Sequence, residues 1–356
     1  MTDQDGNTFR LAVLPGDGIG PEVTEQAVRV LSVAFERAGR ELEIREYPFG
    51  GRALGETGDP FPGATREGCL SAHAVLIGSV GGPEWDQVEP SRRPERGLLE
   101  LRKVAGAFAN LRPVTGHDPD VDLVVVRELT GGIYYGPSRR YEADGEDVAE
   151  SVMRYSTEEI RRVSRIAFGA ARRRRNHVTS VDKANVLEVS RLWREVVTKV
   201  WRDEYPDVTL SHAYVDSTAM RIVSDPRAFD VILTGNLFGD ILSDLAGTLA
   251  GSLGMLPSSC IGGRPLIYEP VHGSAPDIAG SGRANPIGAI LSGAMLLDDA
   301  GYGSEALDVR SAVAAVLDAG YATDEIAGPG LGRSTVDIGD RVVDRLARED
   351  TLADRR

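Results

Sequence analysis

Asp240 and Asp244 stand four residues apart in GNLFGDILSDLAG (235–247), a run that is otherwise small or apolar and contains no Lys or Arg. On a helix that spacing puts both carboxylates on one face. Like charges there cost about 0.2–0.5 kcal/mol when exposed. Among Leu237, Phe238, Ile241, Leu242 and Leu245 the cost rises unless a cation sits between them. Oxygen donors without His or Cys suit Mg2+ or Mn2+. The plain alternative is a solvent-facing pair near a helix start, where the dipole favours acids. Three arginines interrupt or end apolar stretches: Arg102 in LLELRK, Arg112 in NLRP and Arg127 in VREL. A buried guanidinium needs an anion, and its fork matches a carboxylate. That anion is either an internal Asp or Glu or a polyanionic small ligand. If Pro94 opens a helix, Glu95, Leu98, Leu99 and Arg102 share one face. Such a face suits a ligand with a branched alkyl group beside a carboxylate, or else carries two core leucines and a surface arginine. Tyr134 in TGGIYYG and Lys183 in SVDKAN can carry protons if their pKa values are perturbed, and a nearby ammonium lowers a tyrosine's.

These groups need elements to hold them. RLAVLPGDGIG (10–20), HAVLIGSVGG (73–82), VDLVVVREL (121–129), HVTSVDKAN (177–185), FDVILTGN (229–236) and PLIYEPVHG (265–273) read as buried strands ending in polar or glycine residues. Apolar strands alternating with helices predict an α/β sheet covered on both faces. Ligands in such sheets gather at strand C-termini, which directs attention to Arg127, Asp182, Lys183, Asn185, Asn236, Glu269 and His272. Ser156 and Glu159 form a capping box ahead of an apolar stripe ending in RRRRNH, read as a solvated helix terminus. The segment 139–155 is polar and reads as a protruding arm or loop. In GDGIG (16–20) the glycines do not complete GxGxxG and Pro21 follows, so a tight strand-to-helix turn is expected rather than a Rossmann site.

The chain has 356 residues and a net charge of −14. That length suggests two domains or one large α/β unit. The acidity disfavours nucleic acid and anionic membranes, and an acidic substrate needs a local cationic cluster. Cys69 and Cys260 show no metal or redox spacing, which suits a reducing compartment. No apolar run reaches the roughly 20 residues of a membrane span. With a polar N-terminus this leads to the expectation of a cytoplasmic protein.

RELTGGIYYG, SVDKANVLEVS, TGNLFGDILSDLAG and EPVHGSAPDIAG, in that order, with LPGDGIGPEV and LLELRK, resemble the β-decarboxylating dehydrogenases of the isocitrate–isopropylmalate type. The likeness spans about residues 10–340. It implies two α/β domains with a large mixed sheet flanked by helices and a non-Rossmann cofactor site. Residues 1–107 plus 252–356 would form the cofactor-binding domain. Residues 108–251 would form the dimerisation, substrate and metal domain, with an arm near 136–155. One departure is GPSRR after Tyr135, where relatives usually have a Gly-Glu-Pro-Arg-Gly type of turn.

The resemblance also implies chemistry: NAD-dependent oxidative decarboxylation of (2R,3S)-3-isopropylmalate in leucine biosynthesis, by a homodimer with shared active sites. Homoisocitrate, isocitrate and tartrate or malate oxidation are the sister activities. Arg102, Arg112 and Arg127 would hold carboxylates. Asp240 and Asp244, with Asp216 of the other chain, would hold Mg2+ or Mn2+, and Asp216 would also face the substrate. Lys183, also from the other chain, and Tyr134 would handle protons. Glu95, Leu98, Leu99 and the second chain's Val186 would surround the isopropyl group. His272, Gly273, Ser274, Ala275, Asp277, Asn285 and Glu269 would serve NAD. Asp277 would bind the ribose hydroxyls and disfavour NADP.

Overall fold

The computed structural model describes residues 7–116 and 120–353. The elements run β1 (Thr8–Gly16), α1 (Gly20–Arg37), β2 (Glu41–Glu46), α2 (Gly50–Thr57), α3 (Gly63–Ser71), β3 (Ala74–Ser79) and α4 (Pro94–Val104). Next come β4 (Ala109–Thr115), β5 (Asp122–Glu128), β6 (Ser138–Ala143), β7 (Glu146–Ser151), α5 (Thr157–Arg172), β8 (His177–Asp182) and α6 (Glu188–Glu204). The chain continues with β9 (Thr209–Tyr214), α7 (Val215–Ser224), β10 (Val231–Thr234), α8 (Asn236–Gly247), β11 (Pro257–Ile261) and β12 (Leu266–Pro270). It closes with α9 (Ile287–Ala300), α10 (Gly303–Asp318), α11 (Asp324–Ala327) and α12 (Thr335–Ala353). There are two compact units: Met1–Gly106 with Gly251–Arg356, and Ala107–Ala250.

In the first unit the strand order is β2-β1-β3-β12-β11. All neighbours are parallel except β11 and β12. β3, AVLIGS, is buried at every position, as its uninterrupted apolar sequence requires. The core takes Val23, Val30, Leu31 and Phe35 from α1, Ile290 and Leu297 from α9, Val313 from α10 and Ile338 and Val342 from α12. The GDGIG segment is the expected turn. Gly18 has φ +55°, and a Cβ there would lie 2.0 Å from the Ser274 carbonyl oxygen, so only glycine fits. The Asp17 carboxylate accepts backbone N–H bonds from Gly51, Arg52 and Gly81, each at 2.8 Å. The acid of this motif therefore ties α2 and the loop after β3 to the end of β1.

In the second unit the order is β4-β5-β10-β8-β9. β4 and β5 are antiparallel and the remaining pairs are parallel. The register sets Thr234 beside Arg127 on one side and Val181 on the other. The residues after β5, β10 and β8 consequently emerge at one end of this sheet. Capping at Ser156 is as expected, with Glu159 closing the box. The basic run is neutralised locally: Arg172 pairs with Asp207, and Arg174 with Asp122 and Asp230.

Four strands carried no apolar run that sequence reading could find. β2 (ELEIRE) is largely exposed, β9 (TLSHAY) only part-buried, β4 contains Arg112 and Pro113, and β11 is serine-rich. The arm is more ordered than a loop. β6 and β7 pair from Ser138↔Ser151 to Ala143↔Glu146. Asp144 and Gly145 turn the hairpin with φ +52° and +77°, the positive values of a primed turn.

Candidate active site

The second unit gathers most of the expected chemistry. Arg127 leaves the end of β5, Arg112 projects from the middle of β4, and α8 presents Asp240 and Asp244. Arg112 Nη1 lies 3.1 Å from Asp244 Oδ1, and its Nη2 lies 3.5 Å from Asp240 Oδ1. Arg127 Nη1 pairs with the same Asp240 oxygen. The other oxygen, Oδ2, accepts the Tyr134 hydroxyl at 2.9 Å. The side-by-side aspartates are thus faced by two nearly buried guanidinium groups, and the four charges sum to zero. Burial, then the neighbouring Asp240 charge, holds the Asp244 carboxyl above the ordinary aspartate value. The two arginines oppose that rise only in part.

Tyr134 is pushed up, first by burial and then by Asp240. Burial and the Asp240 carboxylate both act opposite to the lowering an adjacent ammonium would cause. Within one chain Lys183 pairs with Asp216, Nζ to Oδ1 2.6 Å, at the start of α7. The Lys183 hydrogen bond in turn pulls the Asp216 carboxyl down. Val186, close by in sequence, is 63% exposed. Among the described residues no group of three or more His, Cys, Asp or Glu converges as a metal site. Asp216 therefore does not join Asp240 and Asp244 within a single chain.

In the first unit, α4 begins at Pro94 and carries Glu95, Leu98, Leu99 and Arg102 on one stripe. The leucine it commits to the core is Leu101, off that stripe, whereas Leu98 and Leu99 stay half-buried and Glu95 exposed. Arg102 is buried and paired with Glu269, Nη2 to Oε1 2.5 Å, and Cys260 Sγ donates to the same oxygen at 3.4 Å. Glu269 is thereby an internal counterion here.

A cavity of about 530 Å³ lies beside the expected nucleotide loop, and His272, Gly273, Ala275 and Asn285 line it. Ser274 and Asp277 do not line it: Ser274 gives its carbonyl to the Ile19 N–H at 2.8 Å, and Asp277 is exposed. The His272 Nε2 is buried without a hydrogen-bond partner among the described residues, a polar atom left for a ligand. Burial keeps this imidazole below the usual histidine value, hence neutral. Sequence reasoning missed Ile19, Ser252, Gly254, Ile278 and Glu325 in this lining. Nothing in their types signals a nucleotide; only the fold brings them together. Of the strand-end candidates, Asp182 is held by Arg194 in two bonds and is structural.

Residues 10–342 match the family model described as isocitrate/isopropylmalate dehydrogenase. The 3-isopropylmalate dehydrogenase of Salinibacter ruber is 55% identical over 336 residues, covering 91% of each chain. That of Aquifex aeolicus is 49% identical over 356 residues, covering 96% of this chain and 98% of the relative. The crystal structure of isocitrate dehydrogenase from Methylococcus capsulatus superposes with a TM-score of 0.87 at 35% identity, over 95% of this chain and 99% of that one. A β-decarboxylating dehydrogenase from Thermococcus kodakarensis gives 0.81 at 39% identity, over 97% of both chains. With motifs, fold and relatives in agreement, the chain belongs to the isocitrate/isopropylmalate dehydrogenase family.

Proposed function

We propose that this chain oxidatively decarboxylates (2R,3S)-3-isopropylmalate to 4-methyl-2-oxopentanoate and CO2, a step of leucine biosynthesis, using NAD and Mg2+ or Mn2+. The observation that carries the reading is the neutral quartet of Arg112, Arg127, Asp240 and Asp244 with the Tyr134 hydroxyl on it. A divalent cation and a dicarboxylate are together neutral, so the quartet can receive both without stranding a charge. The relatives' names point to the same acid.

The donor set fits a hard cation: two carboxylates, with no thiolate or imidazole among them. Asp240 and Asp244 would hold it, with Asp216 of a second copy. Bound there, it supplies Lewis acidity to the oxidation and the decarboxylation. Arg102, Arg112 and Arg127 bind the substrate carboxylates. Lys183 of the second copy, through a water or its Asp216 partner, helps remove the hydroxyl proton, and NAD bound there would supply the acceptor for the C2 hydride. The C3–carboxylate bond then breaks to release CO2, and Tyr134 delivers a proton to C3. Leu98 and Leu99, with Glu95 and the second copy's Val186, favour an isopropyl group. Burying such a group is worth roughly 1.5–3 kcal/mol, whereas a third carboxylate would be desolvated there unpaired. The unpartnered His272 Nε2 supports a nucleotide in its cavity, and Glu325 in the lining and Asp277 nearby disfavour a 2′-phosphate.

NADH formation, followed by absorbance, tests this with 3-isopropylmalate, homoisocitrate, isocitrate, tartrate and malate, each with NAD or NADP, and with Mn2+ or a chelator. The highest kcat/KM is expected for 3-isopropylmalate with NAD, abolished by chelation and restored by Mn2+. A higher kcat/KM for another acid would overturn the substrate; chelator-resistant turnover would overturn the metal.

A further inference from the structure

Each arginine of the quartet is met on its Nε side by the side-chain oxygen of a buried asparagine. Arg127 donates Nε at 3.0 Å and Nη2 at 2.8 Å to Asn236 Oδ1. Arg112 donates Nε at 2.7 Å to Asn110 Oδ1. Asn110 is 0% and Asn236 2% exposed. Asn236 is itself fixed: its Nδ2 donates to the Gly131 carbonyl at 3.2 Å, which orients the oxygen toward Arg127. Its backbone N–H donates to the Tyr155 hydroxyl at 2.7 Å. Tyr155 is held in turn by the Trp193 ring, 5.3 Å away edge-on, and by Glu128.

The Nε–Nη2 edge of a guanidinium is one of those a carboxylate grips in two parallel bonds. With a neutral amide oxygen on that edge, Arg127 meets Asp240 through Nη1. Arg112 similarly reaches the aspartates through its Nη atoms. We infer that Asn110 and Asn236 are positioning residues that bar the arginines from side-on, two-bond pairing with Asp240 and Asp244, keeping them exchangeable onto a substrate carboxylate. The inference rests on the reading of Arg112 and Arg127 as substrate ligands.

The test measures KM for 3-isopropylmalate, KM for NAD, kcat and thermal midpoint for wild type, Asn236→Ala, Asn110→Ala and Tyr155→Phe, with Mn2+ saturating. Tyr155→Phe keeps the ring against Trp193 and serves if the asparagine variants do not fold. Expected is a rise of about tenfold in KM for the acid in each asparagine variant, the scale of one hydrogen bond to a charge, and a smaller rise in Tyr155→Phe. KM for NAD should stay within about twofold, as only the acid's ligands move. Unchanged KM for the acid in folded variants, or a parallel rise in both KM values, overturns the inference while leaving the function standing. Inactive wild type overturns the function, and this inference with it.

Discussion

A phenol resting on a carboxylate keeps its proton. Burial and Asp240 both raise Tyr134, so near neutrality it can act as an acid and not as a base. Tyr134→Phe is expected to lower kcat by about 10²–10⁴-fold, the usual size of one acid–base group, with KM for the acid little changed. Steady-state kinetics check this, and full turnover would remove Tyr134 from the proton step. The residue type was legible in TGGIYYG, but its environment was not. Within one chain the Tyr134 hydroxyl meets Asp240, while Lys183 pairs with Asp216. Asp240 and Asp244 depend on their surroundings in the same way. Their compensating charges come from β4 and β5, remote in sequence, so no local pattern could show them.

At the scale of elements, α4 was readable because Pro94 starts it and the 3.6-residue period marks its stripe. Strands β2, β4, β9 and β11 were not, since edge or polar strands lack the apolar run that betrays a buried one. The primed turn of the β6–β7 hairpin was written in Asp144–Gly145, a signal the polar surroundings hid. Asp17 shows an element junction that no periodicity predicts. Asp17→Ala leaves the Gly51, Arg52 and Gly81 N–H groups without their acceptor. A loss of about 3 kcal/mol is expected from hydrogen bonds to a charge, visible as a lower midpoint in denaturant. A midpoint equal to wild type would show that water replaces the carboxylate.

For the whole molecule, the second unit leaves apolar side chains in water on two touching helices. Met220 and Val223 on α7 and Ile241 on α8 are 65%, 59% and 54% exposed. A second copy is the proposed cover, which would also bring the other Lys183 and Asp216 to the quartet. Met220→Glu with Val223→Glu should give a folded monomer by sedimentation and remove nearly all turnover, although neither residue belongs to the quartet. A dimeric, fully active double variant would place the interface elsewhere. What the sequence determined by itself is what depends on local order and composition: the α/β class, the buried strands, the caps, and the family motifs in their sequence. The tertiary structure alone decided which charges meet. Coulomb and hydrogen-bond energies act over a few ångströms, and the fold, not the spacing along the chain, brings Arg112 to Asp244, Asn236 to Arg127 and Arg102 to Glu269.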